Sequence, residues 1–364
     1  MTRARLRDLG LSVGRLPPGP LNAITDVAGV RVGHATLVRD APSVVRTGVT
    51  AIWPRGPEIW RSYAFAGYYS FNGYGEMTGV VWLQEQGLLA APICLTNTHA
   101  VGVVRDAICA YAVRERVDQA FHLPVVAETY DGWLSDAESF PVTAELAFAA
   151  LDSAAGGPVA EGNVGGGTGM ICHEFKGGIG TASRVADTAG ALYTVGALVQ
   201  ANYGARDLLR VDGVPVGREI GTDEVPSHRQ PPRDAGSIIV VLATDAPLLP
   251  HQCRRLAQRA ELGVARGGGG GENDSGDFFV AFATGNRGLH PEDAEAAPRT
   301  LGLTMLNDDH IDPLFWATIE ATEEAILNAL VAAETMTGRD GITFHALPHT
   351  RLKAVMDRYG RGSR

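Results

Sequence analysis

Ser275 stands between five consecutive glycines, residues 267–271, and the apolar run DFFVAFAT at 277–284. The glycines make the chain before it locally pliable. A hydroxyl at the start of a core strand can attack the preceding carbonyl, here that of Asp274, once the loop bends it into reach. The peptide becomes an ester by an N-to-O shift, and water releases it. Ser275 is then a new N-terminus, whose α-amine has a reference pKa near 8. That amine can act as general base for the hydroxyl of its own residue. The plain alternative is a glycine-rich linker followed by a strand. Two phosphate-binding readings fail: a GxxxxGK[ST] loop needs a lysine that the segment lacks, and Glu272 stands where GxGxxG needs its third glycine.

The surrounding elements follow from periodicity. Residues 22–34 (NAITDVAGVRVGH) alternate apolar and turn residues, as a hairpin would. Strands are expected over 47–53, 80–87, 91–97, 181–185, 237–243 and 277–284, with a buried stretch at 190–200. Helical spacing covers 101–113, 143–152 and 250–264, the last with Cys253, Leu256 and Ala260 on one stripe. Asp312-Pro313 reads as N-cap and first turn of a helix over 314–336, with Phe315, Ile319, Thr322, Ile326 and Leu330 sharing a face. Residues 205–236, charged and proline-rich, read as a surface excursion. No internal repeat is present. The mixture predicts α/β layers around a largely antiparallel core.

Composition bounds the function. With 364 residues and 45% apolar content the chain can bury a sizeable core. Thirty-one basic against 41 acidic residues leave a net charge of −10, which argues against nucleic acid as a general partner. Cys94, Cys109, Cys172 and Cys253 form no CxxC pair and read as buried free thiols. The ten histidines include no HExxH, so neither metal nor other cofactor is expected. The basic N-terminus is followed by no apolar run of signal-peptide length, and 237–247 is too short to span a bilayer. The expectation is a cytoplasmic protein with no membrane partner.

Several segments together resemble one family. ENDSGDFFVAFAT, LPPGPLNAITDVAGVRVGHATL, CLTNTHAVGVVRDA, VAETYDGWLSD, FKGGIGTASR, VQANYG, GVPVGREI, ATEEAILNAL and HALPHTRLKAVMDRYGR are similar, in order, to the L-aminopeptidase/D-amino-acid esterase and β-peptidyl aminopeptidase family. The likeness runs through the whole chain, with variable stretches near 205–236 and 286–305. It implies a four-layer αββα sandwich of the N-terminal-nucleophile kind, related to ornithine acetyltransferase. It also implies a single domain, 1–364, that cuts itself between Asp274 and Ser275 into an α chain (1–274) and a β chain (275–364), and a homotetramer. The implied activity is release of N-terminal residues from short peptides, amides or esters with a free amine, through an acyl-enzyme on Ser275. A polyamide or cyclic-amide hydrolase, or an acyltransferase, on the same scaffold is the nearest alternative. The polyamide branch carries threonine as its nucleophile, whereas this chain has serine. A binding or assembly protein that never cuts itself is the alternative of another class.

The resemblance also implies roles for single residues. Asn202 matches an oxyanion donor, a role worth about 3 kcal/mol when well aimed. Tyr130 matches a tyrosine lining the site, and Glu128 the acid that receives the substrate amine. Asn307 and Asp309 match a polar pair before the long C-terminal helix, although the family commonly has serine or aspartate at the first position. In that placement Asp309 polarises the α-amine of Ser275. Thr322 and Glu324 are the rival placement, but two residues apart on a helix they point about 200° apart. Lys176 matches a lysine of FKGG segments, with a structural pair and a site role both open. His99, in TNTHAVG, is placed near the pocket, with a surface or capping role as the alternative.

Overall fold

The structure is a computed structural model that describes residues 3–118, 121–228, 236–289 and 298–362. In chain order its strands are β1 (Arg31–Arg39), β2 (Val45–Pro57), β3 (Ala64–Gly73), β4 (Leu88–Leu89), β5 (Ile93–Asn97), β6 (Val125–Thr129), β7 (Ile171–Cys172), β8 (Phe175–Lys176), β9 (Gly178–Thr188), β10 (Ala191–Asn202), β11 (Ser237–Thr244) and β12 (Gly276–Ala283). The helices are α1 (Val80–Gln86), α2 (Val101–Arg114), α3 (Ala144–Asp152), α4 (Val216–Glu219), α5 (Pro250–Gly267), α6 (Asp312–Val331) and α7 (His349–Arg358).

Two sheets stack. One has the order β4-β3-β12-β11-β10-β9, the other β1-β2-β5-β6. Helices α5 and α6 cover the outer face of the larger sheet, and α2 and α3 that of the smaller. The alternation along β11 decides this arrangement. Ile238, Val240 and Leu242 point into the core beneath α5 and α6. Ile239, Val241 and Ala243 point into the core between the sheets. A strand buried on both faces reads as an unbroken apolar run, as 237–243 does. Pairing is antiparallel except for β11 with β12 and β5 with β6. The expected αββα sandwich is the architecture found.

Several local expectations are corrected. Residues 80–87 form helix α1, not a strand. Gly79 and Gly87, with φ of +75° and +66°, bracket it, and Val81 lies exposed. The β-branched Val80-Val81 pair suggested a strand, but with only Leu83 buried no strand face needed covering. The hairpin expected within 22–34 is instead the pair β1–β2, preceded by a short 3₁₀ turn at Ile24–Asp26. Residues 205–228 are not an excursion: Leu209, Val211, Val216 and Ile220 are buried, and the Arg206 side chain donates to five backbone carbonyls. The rest of that stretch, 229–235, lies outside the described residues, as do 290–297 of the variable stretch near 286–305. Asp312 is the first residue of α6 rather than its cap, and the helix ends at Val331, not Met336. The four cysteines are unpaired as expected, with Cys109 alone half-buried.

Candidate active site

One row of residues crosses the larger sheet at its end. Asn202 pairs with Ser237, Ser237 with Gly276, and Gly276 with Gly73. Ser275 sits one residue beyond this row, and its carbonyl accepts from the Tyr74 N–H (3.1 Å). The approach is a tight turn, 272–275, closed by the Ser275 N–H donating to the Glu272 carbonyl (3.0 Å). Asn273 and Asp274 occupy its corners, residue types that such turns favour. The loop leaves α5 at Gly268, whose φ is +106° and whose Cβ would lie 2.0 Å from the Leu208 carbonyl.

The smaller sheet supplies the facing wall. Parallel pairing sets Thr96 beside Glu128, so the segments leaving β5 and β6 emerge together. They carry Thr98, Glu128, Tyr130 and Trp133 to a cleft of about 550 Å³, shared with Tyr74, Gly75, Asn202, Gly236, Ser237 and Asp274. Ser275 itself is 1% exposed and does not line the cleft, although its neighbour Asp274 does.

Glu128 is buried, and its carboxylate accepts from the Glu76 N–H (3.0 Å) and the Thr98 hydroxyl. Burial holds its carboxyl above the usual glutamate range. Among the described residues no arginine or lysine pairs with it. A buried anion with only neutral donors is suited to a cation from outside. Asn202 is fixed at both ends: Oδ1 accepts from the Ile171 N–H (2.8 Å), and Nδ2 donates to the Tyr130 carbonyl (3.1 Å). An amide carries two donor hydrogens, so one remains for the cleft that Asn202 lines. Tyr130 is 47% exposed, and its ring lies over Gly132, where a Cβ would come within 2.1 Å of the phenol oxygen.

The other expected residues fall elsewhere. Lys176 is fully buried, with Nζ donating to the carbonyls of Met170 (2.5 Å) and Gly177 (2.8 Å). Burial drives its ammonium well below the ordinary lysine value. Its two carbonyl partners flank the segment that presents the Ile171 N–H to Asn202, and Lys176 does not line the cleft. His99 is exposed and does not line the cleft; its ring is edge-on to Tyr130 (6.4 Å between ring centres) and stacked on Phe140 (5.7 Å).

Asn307 and Asp309 are not brought to Ser275. They flank Asp308, which binds Gln252 and Arg255 in the first turns of α5. From Gln252 and Arg255, 15 and 12 residues of α5 remain before its end at Gly267 and the loop leading to Ser275, a span of about 18–22 Å. Their place in sequence before α6 suggested the match, but α6 starts at the far end of the sheet. Thr322 and Glu324 lie inside α6: Glu324 binds Arg7 and Arg184, and the Thr322 hydroxyl is buried without a partner.

The residue that sequence reading missed is Asp277. Its Oδ1 accepts from the Ser275 hydroxyl at 2.7 Å and from the Ile238 N–H at 3.2 Å. Residues two apart on a strand share a face, so the S-x-D spacing carried the signal. Burial pushes this carboxyl up to about 6.

Stacked sheets between helix layers, with a serine at the end of a central strand, define an N-terminal-nucleophile type of hydrolase. The chain belongs to peptidase family S58, whose model matches residues 22–344. It is similar to the β-peptidyl aminopeptidase BapA of Sphingosinicella microcystinivorans, 48% identical over 98% of this chain and 93% of that protein. Among solved structures, a Burkholderia sp. β-aminopeptidase superposes with a TM-score of 0.92 at 52% identity, covering 98% of this chain and 99% of that one. The L-aminopeptidase D-Ala-esterase/amidase of Ochrobactrum anthropi, described as a prototype serine aminopeptidase and a variant of the Ntn hydrolase fold, gives 0.89 at 45%, covering 98% and 99%. The protein is therefore a hydrolase of the aminopeptidase kind.

Proposed function

We propose that this aminopeptidase is made active by cutting itself between Asp274 and Ser275, giving chains 1–274 and 275–364 of one domain. The observation that carries the reading is the position of Ser275, buried between Asp274, which lines the cleft, and Gly276, which pairs with the cleft-lining Ser237. Freeing the 269–274 segment uncovers the hydroxyl and creates the α-amine beside it. In turnover Glu128 receives the substrate ammonium, and Ser275 Oγ attacks the acyl carbon as the α-amine takes its proton. The free Nδ2 hydrogen of Asn202 stabilises the tetrahedral oxyanion, with the Tyr130 phenol at the cleft mouth. The substrate's C–N or C–O bond breaks as its amine or alcohol takes the hydroxyl proton and leaves, and water then releases the acyl group from Ser275.

The substrates in this reading are short peptides, amides or esters with a free amine. The names of the relatives make β-peptides the first class to try. A homotetramer in the cytoplasm completes the reading, supported by the family resemblance. Among the described residues no helix is long and apolar enough to cross a membrane, and no group of three or more His, Cys, Asp or Glu side chains could hold a metal.

Denaturing electrophoresis with mass spectrometry tests the processing. Wild type is expected as two pieces meeting at 274/275, and Ser275→Ala as one inactive chain of 38.4 kDa. An unbroken wild-type chain with full turnover would overturn the reading. Rates on amino-acid amides, D-amino-acid esters and β-peptides then rank the substrates, and an added amine acceptor reveals any acyl transfer.

A further inference from the structure

Self-cleavage poses a problem that turnover does not. In the unbroken chain the nitrogen of Ser275 is an amide that donates its hydrogen to the Glu272 carbonyl. It has no free lone pair to take the hydroxyl proton, so the α-amine cannot be the base for the step that creates it. The hydroxyl proton already points elsewhere, at Asp277 Oδ1, 2.7 Å away. We propose that Asp277 is the catalytic base of self-cleavage, a role that rests on the reading of Ser275 as the self-cleaving nucleophile.

The geometry supports this in three ways. Asp277 lies on β12 between β11 and β3, and the Ile238 N–H holds the same oxygen that accepts the hydroxyl. The carboxylate forms no ion pair among the described residues, so its electron pairs are not committed to a cation. The charged or titratable groups that face it are Glu272 in the preceding turn and the buried Tyr203 phenol after β10. Burial, helped by Glu272, makes the carboxylate more basic than an exposed aspartate while leaving it ionised at neutral pH. That is the range in which a general base works best.

The step balances within the chain. The Oγ proton passes to Asp277 Oδ1 as Oγ bonds to the carbonyl carbon of Asp274. The C–N bond then breaks, and Asp277 returns the proton to the departing nitrogen, which becomes the α-amine. An ester now joins Asp274 to Ser275 Oγ. Water adds to the ester carbon; one of its protons leaves with Oγ, the other passes to the new α-amine, and Asp274 becomes a free C-terminal carboxylate.

The test is the rate at which freshly synthesised chain separates at 274/275, followed on denaturing gels between pH 5 and 8. Asp277→Asn keeps the shape and can still accept the hydroxyl hydrogen bond, but it cannot carry the proton. It is expected to slow cleavage about 100- to 10,000-fold, with an unchanged melting temperature, while Asp277→Glu recovers part of the rate. Wild type is expected to slow about tenfold per pH unit below about 6, as the carboxylate protonates. Cleavage of Asp277→Asn within about threefold of wild type, or a wild-type rate that does not change over the pH range, would overturn this proposal alone. A wild-type chain that never separates would overturn the self-cleavage reading, and this proposal with it.

Discussion

Glu128 shows how one buried side chain is matched to its task. Its carboxylate is satisfied by an N–H and a hydroxyl, yet no side chain of the described protein neutralises it. In the proposed function an incoming ammonium meets this buried anion. Glu128→Gln keeps the size and removes the charge. We expect kcat/KM on free-amine peptides to fall about 30-fold or more, the ~2 kcal/mol or more lost when one partner of a buried charge pair is removed. N-acetylated peptides are expected to be poor substrates of wild type. Self-cleavage in Glu128→Gln should proceed normally, because the scissile peptide has no free amine. Steady-state rates on a matched free and acetylated pair decide this; equal rates would remove Glu128 from amine recognition. The sign of the pH effect follows from burial. Glu128 takes up a proton at a higher pH than an exposed glutamate, so KM for free-amine substrates should begin to rise before pH falls to about 4.3, the ordinary glutamate value.

At the level of elements, α6 departs most from what its periodicity suggested. The stripe expected on one face is buried, but so are Glu320, Glu323, Glu324 and Asn328. For Glu320 and Glu324 the reason is Arg184 on β9, which is fully buried and bonded to Glu324 at 2.6 Å and to Glu320 at 3.3 Å, while Glu323 pairs with Arg266 and Asn328 bonds the backbone of Leu6 and Thr181. Arg7 adds two further bonds to Glu324, at 2.7 and 2.8 Å, and Asn22 a third at 2.6 Å. Glu324→Ala leaves a buried guanidinium short of its main anion. A loss of about 3–5 kcal/mol is expected, read as a lower denaturation midpoint with an unchanged slope. Replacing both partners, with Arg184→Met and Glu324→Leu, should recover part of that loss, less than all of it because Glu320 then loses Arg184 and Arg7 loses Glu324. A double variant as unstable as the single one would show that the network does more than balance its own charges.

For the whole molecule, the position of β12 has a consequence for maturation. The strand lies between β11 and β3, and α6 packs against β9 and β10. A cut at 274/275 therefore divides the six-stranded sheet in its interior, leaving its β12 strand on the short piece and its other strands on the long one. The Phe279 and Ala281 side chains of the short piece enter the core under α5, and Phe278, Val280 and Phe282 the core between the sheets. The two pieces should stay together on native size exclusion, even on extended dilution, and separate only in denaturant. Elution of a free 275–364 fragment under native conditions would contradict this.

The sequence alone carried what depends on local pattern and on ordered motifs. The doubly buried run at 237–243, the amphipathic α5, the serine after a glycine tract and the layered fold were all legible there. So, through the family resemblance, were Glu128, Asn202 and Tyr130, which the structure brings to one cleft from two sheets. What sequence could not supply was distance. Asn307 and Asp309 precede a long helix that begins at the far end of the sheet, so nearness along the chain to Ser275 did not become nearness in space. That the Lys176 ammonium sits among backbone carbonyls was visible only in the structure. Asp277 was within reach of sequence, two residues from the serine, yet its proximity to the hydroxyl depends on the Ile238 N–H of a neighbouring strand. Spacing along one strand decides which face a side chain takes; the register with the next strand decides what it meets there.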